Sequence, residues 1–150
     1  LEHAVARSCE LKAEVVSADE REGGLRAILN YGHTFGHAIE ALTGYTRFLH
    51  GEAVAIGMVM AADVSWRHGL IEQADAKLVR DAVTMLGLPD QPPELASEDM
   101  ISAMSMDKKV LDGRLRLVVC RSIGDAFVSD DVAALTLSAT LNAGAALCER

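Results

Sequence analysis

Apolar positions recur at helical spacing along most of the chain. Leu1, Val5, Cys9, Ala13 and Val16 form an i, i+4 stripe that predicts an opening helix. Charge and two glycines in "SADEREGGLR" break it. A second helix is expected from about Ala27 to Leu42, followed by the loop "TGYTRFLH". A third runs from near His50 to Gly69, a glycine placed to end it in a left-handed turn. A fourth is expected from about Glu72 to Leu86, stopping before Gly87 and Pro89. "PDQPPE" is a rigid link, and Ser97, followed by two acids, is expected to cap a short helix to about Met106. Asp112-Gly113 signals a turn. Leu115, Leu117 and Val119 alternate with Arg116, Val118 and Cys120, which predicts a strand with "SIGDAFV" as its hairpin partner. A last helix starts after Ser129 or Asp130 and runs to the end. The expected class is mainly α: a multi-helix domain with one small β-hairpin.

The 150 residues suit a single domain, 1–150, with a real core. No repeat or low-complexity tract interrupts it, and neither GxGxxG nor GxxxxGK[ST] occurs. No apolar run reaches the roughly 18 residues that cross a bilayer, and "AVAIGMVMAADV" ends in an aspartate. With no basic-then-apolar leader, a soluble cytoplasmic protein is expected. The net charge of −8 argues against nucleic-acid and membrane partners. It leaves room for a small anionic ligand, because Lys12, Arg21, Arg26, Arg47, Lys108 and Lys109 lie near the histidine region or in one short later motif. Three widely spaced cysteines make no zinc pattern and read as reduced thiols. The six methionines read as core packing. The chain begins in Leu and directly in helical pattern, so a piece of a longer polypeptide is expected.

The chemistry concentrates in "LNYGHTFGHAIEA" and "LHGEAVAIGMVMAA", which hold His33, His37 and His50. On one continuous helix, Arg26, Asn30, His33 and His37 would share a face. That face is polar and cationic where a buried one would be Leu and Ile. Gly32 and Gly36 let another backbone or a ligand approach closely. His50 opens the next helix and can return beside His33. Neutral imidazoles are common ligands of zinc and similar ions. The set is an incomplete metal site, because a third ligand is needed. It is not HExxH, so a metalloprotease reading lacks its general base. His3 and His68 have no such company and read as surface residues. By themselves, "DEREGGLR" reads as a solvated loop and "MDKKVLDG" as a basic helix end.

"LKAEVVSADEREGGLRAILNYGHTFGHAIEA", "LHGEAVAIGMVMAA" and "MDKKVLDGRLRLVV", in this order and spacing, resemble the C-terminal domain of the 3-dehydroquinate synthase family. The resemblance implies that family's helical domain. It also implies conversion of a seven-carbon sugar-acid phosphate, 3-deoxy-D-arabino-heptulosonate 7-phosphate, to 3-dehydroquinate and phosphate, the second step of the shikimate pathway. NAD and a divalent ion, zinc or cobalt, are the implied cofactors, and a homodimer the implied assembly at full length. The implied chemistry is transient oxidation of a ring alcohol, elimination of phosphate, re-reduction, ring opening and an intramolecular aldol.

Residue by residue, the resemblance makes His33 and His50 metal ligands. His37 would contact the substrate phosphate and relay protons, with Asn30 as a further phosphate contact. Lys12 and Arg26 would hold the substrate carboxylate. Glu22 would bond substrate hydroxyls, and one of Lys108 and Lys109 would bind phosphate. The family's third metal ligand is a glutamate in a preceding "AEVIK"-like helix. The "AEVVS" at 13–17 is a look-alike within the segment already matched, so Glu14 is not assigned to the metal. The N-terminal NAD-binding domain is not in these residues, so the chain alone is expected to be inactive. The alternatives are another sugar-phosphate cyclase, such as a 2-deoxy-scyllo-inosose or valiolone-type synthase, an iron-type polyol or alcohol dehydrogenase, and a helical interaction module without catalysis. Lys12 and Arg26 together favour a carboxylate-bearing substrate.

Overall fold

The computed structural model describes residues 2–19, 24–106, 110–111 and 114–149. Among the described residues, six α-helices carry the fold: α1 (Glu2–Ala18), α2 (His33–Leu42), α3 (His50–Arg67), α4 (Gln73–Met85), α5 (Ser97–Met106) and α6 (Ala134–Leu141). A 3-10 segment, Leu25–Asn30, precedes α2, and a short one, Gly144–Ala146, follows α6. Four short strands, β1 (Val110–Leu111), β2 (Arg114–Leu115), β3 (Leu117–Ser122) and β4 (Asp125–Ser129), form two antiparallel ladders, β1–β2 and β3–β4. The mainly helical class holds. The single expected hairpin becomes two, with the Asp112-Gly113 turn between β1 and β2 lying outside the described residues.

α3 is the axis of the domain. Its apolar residues are so dense that eleven of its positions, from Ala53 to Ser65, are buried. It packs against α2, α4, α6 and β3. Phe35 and Ile39 of α2, Ile56, Val59, Met60 and Val64 of α3, Met104 of α5 and Leu117 and Val119 of β3 form the centre of the core. α3 ends as its sequence predicts: Gly69 takes φ 79, its N–H donates to Trp66 O, and the Leu70 N–H donates to Ser65 O. Gly44 after α2 and Gly87 after α4 repeat that ending.

Asp63, in the last third of α3, is fully buried. It accepts from Arg67 Nε at 2.6 Å, from the Thr140 hydroxyl at 2.6 Å and from the Cys148 N–H at 2.7 Å. Arg80 donates to Leu147 O at 2.6 Å and to Asp90 at 2.7 Å. These groups hold the last residues against α3 and α4. Cys148 sits there at φ 61, and burial, with Asp63 beside it, pushes its thiol up to about 12.

Several expectations need correction. The second helix does not run from Ala27, because the chain turns at Tyr31–Gly32. The last helix does not start at Ser129 or reach the end: α6 begins after Ala133 and stops at Leu141. Ser97 is the first residue of α5, and its hydroxyl goes to Asn142 at 2.9 Å. Met60, Met100 and Met104 are core residues, but Met85 and Met106 are each 85% exposed. No α1 residue is buried, so its apolar stripe lies open, and the helix packs on the 3-10 segment. β3 does not alternate: Leu117 to Cys120 are all buried, because α3 and the 3-10 segment both pack on it.

Candidate metal and substrate site

The site is built on a turn and a close helix crossing. Tyr31 (φ −54, ψ 123) and Gly32 (φ 81, ψ −18) are the central residues of a type II turn from Asn30 to His33. Glycine is needed there for its positive φ. The turn separates Arg26 and Asn30, on the 3-10 segment, from His33, the first residue of α2. Tyr31 anchors it: the partly buried phenol touches Cys120 Sγ on β3 at 3.8 Å and is pushed well above its ordinary range by loss of solvent. Asp19 steadies the other end, accepting from the Gly24 and Arg26 N–H groups at 2.8 and 3.0 Å.

The glycines answer which partner approaches closely: it is the backbone of α3. A Cβ on Gly32 would stand 2.6 Å from Met58 N, and one on Gly36 would stand 3.0 Å from Val54 Cα. A Cβ on Gly57 would overlap the carbonyl oxygen of Gly32. Three glycines thus set the spacing between α2 and α3, and with it the spacing of the histidines.

His33 and His37 lie one turn apart on α2, and His50 opens α3 beside them. Their ring centres form a near-equilateral triangle, 5.6 Å for His33–His37, 5.5 Å for His33–His50 and 5.8 Å for His37–His50. Imidazoles sharing one ion through bonds of about 2.0–2.1 Å place ring centres roughly 5 Å apart, so the arrangement fits a divalent cation. His33 Nδ1 lies 3.3 Å from Tyr31 O, a contact that requires Nδ1 to donate and leaves the lone pair on Nε2. His50 Nδ1 lies 3.1 Å from Glu40 Oε2. Ligand-capable atoms of His37, Glu40 and His50 all fall within 4.8 Å of one another.

Glu40 joins this cluster without having stood out in the sequence. His33, His37 and Glu40 stand at i, i+4 and i+7, one stripe of one helix, and that spacing was the available signal. Of the predicted residues, the structure brings together His33, His37 and His50. Arg26 and Asn30 lie on the 3-10 segment ahead of the turn, not on a helix face shared with the histidines. Lys12 is exposed on α1, which packs on the segment carrying Arg26 and Asn30. Glu22, Lys108 and Lys109 lie outside the described residues.

A groove of about 710 Å³ opens from the cluster between α2 and α5. Its walls include His37, Glu40, Tyr45, Asp99, Ser102 and Met106. The size suits a small molecule. Glu40 and Asp99 suit hydroxyl groups or a cation there, so an anionic group would need the cationic residues of the neighbouring segments. α2 and α3 both begin at the cluster, so the positive ends of their dipoles point at it.

Residues 1–110 match the family described as 3-dehydroquinate synthase C-terminal. The chain belongs to this family. It is 51% identical over 142 residues to the 3-dehydroquinate synthase of Saccharophagus degradans, covering 94% of this chain and 39% of that one. To that of Citrifermentans bemidjiense it is 55% identical over 121 residues, covering 81% and 33%. Among solved structures, a 2-epi-5-epi-valiolone synthase from Streptomyces hygroscopicus with NAD+ and Zn2+ bound superposes at TM-score 0.78, with 29% identity, 91% of this chain and 38% of that one. A 2-deoxy-scyllo-inosose synthase complexed with carbaglucose-6-phosphate, NAD+ and Co2+ gives 0.74, with 27% identity over 89% and 38%. The chain therefore spans between a third and two-fifths of the length of these relatives. Among the described residues, no helix is long and apolar enough to cross a membrane.

Proposed function

We propose that this chain is the metal- and substrate-binding part of a 3-dehydroquinate synthase. In this reading the whole enzyme is a carbon–oxygen lyase of the shikimate pathway, cytoplasmic and homodimeric. It releases phosphate from 3-deoxy-D-arabino-heptulosonate 7-phosphate and forms 3-dehydroquinate. The observation that carries it is the triangle of His33, His37 and His50 in a chain about 50% identical to synthases of that name. Identity to the valiolone and inosose cyclases is lower, at 29% and 27%, which favours the dehydroquinate reading over its nearest alternative.

His33 and His50 would hold the divalent ion, each through Nε2. Such an ion, when bound, would make substrate hydroxyls more acidic, and NAD+ would supply the hydride acceptor. His37, on the same stripe of α2 and half-buried, would exchange a proton with the substrate phosphate. Asn30 and the helix N-termini suit the phosphate oxygens, and Arg26 with Lys12 a carboxylate. Glu22 would bond substrate hydroxyls, and Lys108 or Lys109 would add charge against the phosphate. The remaining metal ligand and most of the NAD site would come from outside these residues, so the isolated chain is expected to be inactive.

The test is a chimera. The chain replaces the matching 142 residues of the Saccharophagus degradans synthase, and phosphate release is measured with NAD+ and Zn2+. The reading expects turnover, lost in His33→Ala and His50→Ala. A folded, metal-loaded chimera that releases no phosphate would contradict it.

A further inference from the structure

We infer that Glu40 is a positioning residue that fixes the tautomer and orientation of His50, so that Nε2 faces the cation. The inference rests on the metal reading above. His50 is the first residue of α3, with a side chain 58% exposed, so packing alone does not hold its ring. Both oxygens of Glu40 reach Nδ1, at 3.1 and 3.3 Å. The Glu40 side chain is only 12% exposed. Its backbone is fixed too, since Glu40 O accepts from the Tyr45 N–H at 2.8 Å in the turn that ends α2.

A carboxylate can only accept from a neutral imidazole, so contact with Nδ1 places the proton there and the lone pair on Nε2. His33 is turned the same way by a different device, the carbonyl of Tyr31. Partners of this kind orient ligating imidazoles and raise their basicity, and their loss typically weakens metal binding about 10–100-fold. The close crossing at Gly36 and Gly57 places α2 near enough to α3 for Glu40 to span the gap.

The experiment uses the metal-free, 15N-labelled chain, about two pH units above the usual imidazole value of roughly 6.5. Long-range 1H–15N spectra read which nitrogen of each histidine carries the proton. His50 is expected to carry it on Nδ1. Glu40→Ala moves it to Nε2, Glu40→Gln retains it through the amide oxygen, and the His33 signals stay unchanged as a folding control. Cobalt titration of the chimera described above, carrying each variant, then gives affinity about 10–100-fold weaker in Glu40→Ala, with Glu40→Gln between. A wild-type His50 protonated on Nε2 overturns the inference without any variant. So does an unmoved tautomer in Glu40→Ala. Equal loss of affinity in both variants with the tautomer intact would make Glu40 a direct ligand and overturn it as well. Failure of the chimera to bind cobalt even with Glu40 intact would instead sink the metal reading, while the metal-free spectra would still decide the role of Glu40.

Discussion

Replacing Asp63 with alanine removes an acceptor from three donors at once. Two of them, the Thr140 hydroxyl and the Cys148 N–H, are buried with it, at 2.6 and 2.7 Å. The third, Arg67, has a side chain 25% exposed and can regain water. Stranding a buried donor costs about 1–3 kcal/mol, and breaking a buried charged pair about 3–5 kcal/mol. The loss expected for Asp63→Ala is therefore about 3–5 kcal/mol, a large part of the roughly 5–15 kcal/mol that stabilises a typical domain. Asp63→Asn keeps one acceptor oxygen and should fall between. Equilibrium urea unfolding followed by circular dichroism measures each. Thr140→Ala should be costly in the wild type and nearly free in Asp63→Ala, with a coupling of about 1–3 kcal/mol. A loss below about 1 kcal/mol in Asp63→Ala, or strictly additive effects, would refute the network as the tie between α3 and the C-terminal residues.

Gly57→Ala forces a methyl into the Gly32 carbonyl and should cost about 1–3 kcal/mol, lowering Tm by roughly 2–4 °C per kcal/mol in scanning calorimetry. A neutral outcome would mean the α2–α3 crossing is looser than described. Thiol reagents should label Cys9 quickly in the native chain, while Cys120 and Cys148 react only on unfolding; mass spectrometry of the labelled peptides decides. Cys148 holds its proton more tightly folded than unfolded, so its stabilising share is complete below its ordinary value of 9.0 and fades as pH rises toward about 12. Tyr31, also raised, adds to the same slope above 10.0. Urea midpoints should fall across that alkaline range, and less steeply in Cys148→Ala.

The long helices were legible because their apolar spacing and closing glycines are local signals; α3, α4 and α5 fall close to where the pattern puts them. The histidines were legible for a similar reason, since His33, His37 and His50 stand out against apolar neighbours. What was hidden is non-local. Gly32 looks like a tolerated glycine inside a helical pattern until Met58 and Gly57 are packed against it. Asp63 looks like the end of an apolar run, because its partners lie 77 and 85 residues away. Glu40 looks like a solvated helix residue until His50 arrives from the next helix. The stripe on α1 had the right period, but period alone does not say that a surface is covered.

The most direct test of the central claim is a Co2+ titration of the chimera described above, which supplies the remaining ligand, followed by its visible absorption. Saturable binding of a single ion, with ligand-field bands that vanish in His33→Ala and in His50→Ala, is the predicted result. Unchanged affinity and spectrum in both variants would contradict the assignment of these two histidines to the metal.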